Sequence, residues 1–156
     1  MSVAISLKDY LDNHAIKYDL IPHKYSENSL GAAHAAHIPG DRVAKSVLLQ
    51  DDFGYMMAVL PATHRISLSD LKMHTHRQLA LADENEISEI FNDCELGAIP
   101  PIGDAYGMET VVDDSIAEQS DIYFEAGDHE VLIHLESEQF NDLMESAEHL
   151  RFSYHI

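Results

Sequence analysis

The chain has 156 residues, is 46% hydrophobic and carries a single cysteine, Cys94. These values fit one domain with a substantial core, exclude an internal disulfide framework, and leave no apolar run near the roughly 20 residues a membrane-spanning helix needs. Nine Lys+Arg against 28 Asp+Glu give a formal net charge of -19, which argues against bulk DNA or RNA binding through a basic surface and against anionic membranes as partners.

The opening "MSVAISLKDY" lacks the basic, apolar, small-residue order of a secretory leader, so a cytoplasmic protein is expected. Ser6 and Asp9 have capping-box spacing, and Leu7, Tyr10, Leu11 and Ala15 follow with helical periodicity. "IKYDLI" reads as a short strand. Ser26 to His37 reads as a second helix, stopped by Pro39 and Gly40. "RVAKSVLLQ" and "GYMMAVLPA" are rich in β-branched and apolar residues, and "DDFG" between them supplies a hairpin turn. Two more helix starts are predicted at Ser67 with Asp70 and at Asp83 with Glu86, the second leading into Ile87, Ile90 and Phe91. Strands are expected near "ETVVD", "DIYFEA" and "HEVLIHLE". Phe140, Leu143, Met144 and Ala147 form a last amphipathic stripe. No linker or repeat interrupts this order, so residues 1–156 read as one domain. The hairpin argues against a purely parallel sheet. The expected fold is α/β, with a mixed, curved, largely antiparallel sheet surrounded by helices.

Three segments hold candidate chemistry. Lys45 in "VAKSVLL" shares a strand face with Val43, Val47 and Leu49. A lysine there either waits at a pocket mouth for a phosphate or carboxylate, or snorkels to water from a strand end. "GAIPPIG", from Gly97 to Gly103, cannot be helix or central strand, because proline lacks the N–H and fixes φ. Such a stiff loop is either a rigid crossover or a fixed array of backbone groups that grips a polar substrate. In "EAGDHEVL", Gly127 and Asp128 make a turn that leaves His129 near a strand end, as a surface residue or as a group that orients substrate.

Other signals are weaker. His34 and His37 lie one turn apart, and His74 and His76 form a second pair. Zinc needs three or four converging ligands, and neither HExxH nor paired cysteines occur, so no metal or other cofactor is expected. Cys94 sits between Asp93 and Glu95, which disfavours a thiolate.

Taken in order, "VAKSVLL", "GYMMAVLPATHRISL", "CELGAIPPIG" and "FEAGDHEVL" resemble the YbaK family of aminoacyl-tRNA editing domains, over nearly the whole chain. The resemblance implies the fold of that family and hydrolysis of the ester joining a wrong amino acid to the terminal ribose of tRNA. It implies that Lys45 holds the tRNA 3′ end. It further implies that Gly97, with Ala98, Ile99, Pro100 and Pro101, forms the substrate loop, and that Gly127 and His129 lie near the pocket. No metal or covalent intermediate is implied; the ribose hydroxyl of the substrate helps activate water. The implied partners are the aminoacylated tRNA 3′ end and a synthetase, which supplies tRNA affinity unless a local basic patch of Lys24, Arg42 and Lys45 does so. Asp128 then either repels substrate phosphates or binds the free α-amino group. Gly97→Ala is expected to impair deacylation far more than stability. Two alternatives stay open: a non-catalytic module of the same fold that binds an aminoacyl or nucleotide-like group, and a histidine-based metallohydrolase.

Overall fold

The computed structural model describes residues 3–156. Helix α1 (Ile5–Asn13) is followed by β1 (Asp19–Pro22), α2 (Ser29–Ala35), β2 (Val43–Asp51) and β3 (Gly54–Pro61). Then come β4 (His64–Ile66), α3 (Leu68–Thr75), β5 (Ala80–Leu81), α4 (Glu84–Ile90) and β6 (Glu109–Asp113). The chain closes with α5 (Asp114–Ala117), β7 (Asp121–Glu125), β8 (Val131–Glu136), α6 (Ser137–Leu143), β9 (Glu148–Leu150) and β10 (Ser153–His155). Short 3-10 turns precede β2 and β6.

The main sheet runs β1-β8-β7-β2-β3-β6-β9, with β5 also on β2, and β10 pairs β4 separately. The pairs β1·β8, β7·β8, β2·β3 and β2·β5 are antiparallel; β2·β7, β3·β6 and β6·β9 are parallel. The expected mixed α/β sheet is therefore present. Its centre is buried on both faces, which is why β3 reads as a continuous apolar run. Met57 and Val59 join Leu7, Leu11, Phe91, Phe124 and Phe140 on one side, while Met56, Ala58 and Leu60 join Leu71, Leu79 and Phe152 on the other.

Several local expectations are corrected. No Ser6–Asp9 box starts α1. Ala4 is the N-cap without a side-chain bond, and the Ser6 N–H donates instead to Asp93 Oδ2 at 2.9 Å. A remote carboxylate thus supplies the acceptor expected of Asp9. The helix ends at Asn13, and Ala15 turns left-handed. Helix α2 begins after Asn28, whose side chain accepts from the Gly31 N–H. The two other predicted helix starts are present: Ser67 accepts from the Asp70 N–H, and the Asp83–Glu86 box is reciprocal. Helix α6 stops at Leu143, so Ala147 lies beyond it, before β9 and β10, which lacked a sequence signal. Between β2 and β3, the Asp51 carboxylate accepts from the Phe53 N–H and Gly54 takes φ +131°, as the hairpin turn requires. Among the described residues no helix is long and apolar enough to cross a membrane.

Candidate active site

Strand β2 pairs with β3 along its whole length, but its other edge is shared. Strand β7 meets it only at Val43 and Ala44, and β5 only at Leu49 and Gln50. Residues 45–48 face a gap between the two. The Leu48 carbonyl accepts from the Ala82 N–H on that edge, whereas the Val43 carbonyl accepts from the Ala62 N–H on the β3 side. The two-residue alternation of a strand therefore turns the Ser46 N–H and C=O toward the gap as well.

A cavity of about 490 Å³ opens there. Leu48, Met57, Ile87 and Phe91 make its apolar floor, Ile99 and Gly97 come from the Pro-Pro loop, and Asn28 and Ser29 come from the start of α2. The Ser46 hydroxyl donates to the Ile99 carbonyl at 3.0 Å, tying the loop to the strand.

Lys45 lines this cavity, pairs with Leu60 of β3 and, by the alternation of the strand, shares a face with Val43, Val47 and Leu49, none of which lines it. It is half-buried and, among the described residues, has no carboxylate partner. Burial lowers its pKa, and the nearby Arg65 guanidinium lowers it further. An ammonium in this state gains from any anion that enters. The second cation acting at the site is thus Arg65; Arg42 acts on Asp121 instead.

The other predicted residues divide into two groups. Only Gly97 and Ile99 of the loop line the cavity. Ala98, Pro100 and Pro101 are buried outside the lining, and the two prolines stiffen the loop. Gly127 and His129 also stay out of the lining and act as fasteners. The Glu95 N–H donates to the Gly127 carbonyl at 2.8 Å, and His129 Nε2–H donates to the Leu96 carbonyl at 2.5 Å. His129 is buried rather than a surface group: it is 3% exposed, with φ +66° and Nδ1 buried without a partner among the described residues. Asp128 accepts from the Glu130 and Val131 N–H groups, at 2.9 and 3.2 Å, and shapes the turn.

Gly97 has φ +83°, and a Cβ there would collide with the Glu27 carbonyl oxygen and come within 3.1 Å of His129 Cε1. Glycine is required by backbone packing as well as by any ligand, which revises the expectation for its substitution. Gly97→Ala should lose activity and stability together. The left-handed strain and the clash are worth about 1–3 kcal/mol, a fall in Tm of several degrees. Calorimetric melting beside a turnover assay checks this, and an unchanged Tm would contradict it.

Burial pushes the Cys94 thiol up to about 12, with the Asp93 carboxylate adding to the rise, so it is no nucleophile at neutral pH. Among the described residues no three His, Cys, Asp or Glu side chains are grouped to hold a metal ion. Sequence reasoning missed Asn28, Ser46 and Glu84, all of which line the cavity. Glu84 was visible only as part of a helix start, and Ser46 only as the neighbour of Lys45.

The aminoacyl-tRNA editing domain model matches residues 27–143, so the chain belongs to that family. Three solved structures are similar in fold. The hypothetical protein APE2540 is 18% identical with a TM-score of 0.83, over 96% of this chain and 99% of its own. A candidate trans-editing enzyme for prolyl tRNA synthetase is 15% identical with a TM-score of 0.82, over 97% and 96%. A candidate signal transduction protein from Marinobacter aquaeolei VT8 is 20% identical with a TM-score of 0.80, over 97% of this chain. This chain spans only 31% of that protein, about a third. Among curated proteins none matches the sequence significantly.

Proposed function

We propose that this protein is a cytoplasmic hydrolase that removes a small, wrongly attached amino acid from the 3′ end of tRNA, acting in trans and without a metal ion. The observation that carries the proposal is the unpartnered, half-buried ammonium of Lys45 at an apolar cavity walled by the Gly97–Ile99 backbone. Lys45 holds the phosphate of the terminal nucleotide, with Arg65 nearby. The amino-acid side chain lies on Leu48, Met57 and Phe91. The glycine at position 97 lets the loop backbone approach the aminoacyl group. A water adds to the ester carbonyl as the adjacent ribose hydroxyl assists, the acyl C–O bond breaks, and the ribose oxygen leaves with a proton. The products are the free amino acid and uncharged tRNA.

Such an activity has a physical rationale. One missing methylene in a binding pocket is worth only about 1–3 kcal/mol, too little for accurate charging, so errors must be hydrolysed afterwards. The strong acidity of the chain suits contact at the tRNA end, with a synthetase contributing the rest of the affinity.

Deacylation of a panel of mischarged tRNAs tests the proposal. Alanyl, seryl or cysteinyl esters on non-cognate tRNA should turn over fastest. A chelator should leave the rate unchanged; loss of turnover with chelator, restored by zinc, would instead mark a metallohydrolase. Tight binding of the charged 3′ end with no turnover would make the protein a recognition module.

A further inference from the structure

Among the described residues two charged side chains of opposite sign line the cavity, the half-buried Lys45 and the exposed Glu84. They do not pair with each other, and among the described residues Glu84 has no hydrogen-bond or ion-pair partner. Its neighbour Glu86 is fully engaged, accepting from Tyr55, from Gln50 and from the Asp83 N–H.

Their positions along β2 are fixed. The Ala82 N–H bonds to the Leu48 carbonyl, so the start of α4, with Glu84, sits at the Leu48 end of the gap. Lys45 lies three residues back along the strand, about 10 Å between backbone positions, and its side chain leaves β2 on the face opposite to that of Leu48. Leu48, Ile87 and Ile99 line the same cavity. The cavity thus suits a dipolar ligand with an anionic group at one end, a cationic group at the other and a small apolar part between.

We infer that Glu84 reads the free α-ammonium group of the aminoacyl ester and so restricts the enzyme to amino acids whose nitrogen is unmodified. This rests on the aminoacyl-tRNA function proposed above. An ester held by its phosphate at Lys45 directs its α-nitrogen along β2 toward the start of α4. N-acyl and peptidyl esters carry no charge there and leave Glu84 unpaired, so the site spares peptidyl-tRNA and formylated initiator tRNA. Asp128 lies outside the cavity lining, and its Oδ1 accepts from the N–H groups of its own turn.

The test uses non-hydrolysable probes: 3′-alanylamino-3′-deoxyadenosine 5′-phosphate and its N-acetyl derivative. Binding of each is measured by calorimetry to the wild type, Glu84→Gln and Glu84→Lys. The wild type should prefer the free amine. Glu84→Gln should weaken the free-amine probe about three- to tenfold, in the range of a partly exposed charge pair, and leave the N-acetyl probe unchanged. Glu84→Lys should widen the loss for the free amine only. A preference unchanged by Glu84→Gln, or an equal loss for both probes, would overturn the inference while wild-type turnover of alanyl-tRNA left the enzymatic function standing. Failure of the wild type to bind either probe or to deacylate any charged tRNA would overturn both.

Discussion

Replacing Lys45 by methionine should leave the protein folded and lower kcat/KM for a mischarged alanyl-tRNA by about 100-fold or more, the scale seen when a preorganised electrostatic contact is removed from an active site. Methionine keeps an unbranched stem on the strand face shared with Val43 and Val47, beside Leu60 of β3, while removing the charge. In the free protein that charge has no carboxylate partner among the described residues, and its pKa is lowered chiefly by burial and then by Arg65. Folding therefore gains nothing from it, and the melting temperature of Lys45→Met should be unchanged or slightly higher. The ammonium earns its place only when an anion arrives. Arg65 cannot replace it, since it sits on β4 and is exposed. A folded Lys45→Met protein with wild-type turnover would remove Lys45 from the site.

How far the sequence anticipates this arrangement depends on the range of the interactions. The Asp83–Glu86 box was legible because both of its bonds close within four residues. The Ser6–Asp9 pattern misled because the acceptor for Ser6 is Asp93, 87 positions away. Strands β2 and β3 are long and strongly apolar, so composition alone marks them. Strands β4, β5, β9 and β10 have two or three residues each and exist because a neighbour offers an edge. The site divides in the same way. Lys45 and the glycine-proline loop stand out in the sequence because lysine on an apolar strand and paired prolines are locally unusual. Ser46, Asn28 and Glu84 are ordinary residues locally, and what makes them line a cavity is the gap between β7 and β5 along one edge of β2. Gly127 and His129, which the resemblance puts near the pocket, lie outside the cavity lining and hold the segment before the loop by hydrogen bonds. Their rank in the motif reflects the precision the loop needs.

The turn that fastens the loop also carries the least comfortable group in the core, and Glu125→Gln should change the pH dependence of stability. Glu125 ends β7 just before that turn, is 1% exposed, and neither carboxyl oxygen has a hydrogen-bond partner. Burial, and then the Asp128 carboxylate, push its pKa up to about 8 from an ordinary value of 4.5. The folded protein therefore holds a proton there that the unfolded chain has already released in the range between those two values. Stability from this group is full below the unfolded pKa and is lost as pH rises toward 8. A shift of this size corresponds to roughly 3–5 kcal/mol at about 1.4 kcal/mol per pH unit. Glutamine keeps the shape of the neutral acid and cannot ionise. Denaturant unfolding of both proteins at pH 5, 7 and 9 should give nearly equal stabilities at pH 5 and a growing advantage for Glu125→Gln above it. The lowered carboxyl pKa values of Asp51, Asp93 and Asp113 put their losses in the acid range, below this window. His134, whose pKa is raised, titrates alike in both proteins and cancels in the difference. Stability curves that run parallel from pH 5 to 9 would mean that Glu125 is ionised and partnered in the folded protein.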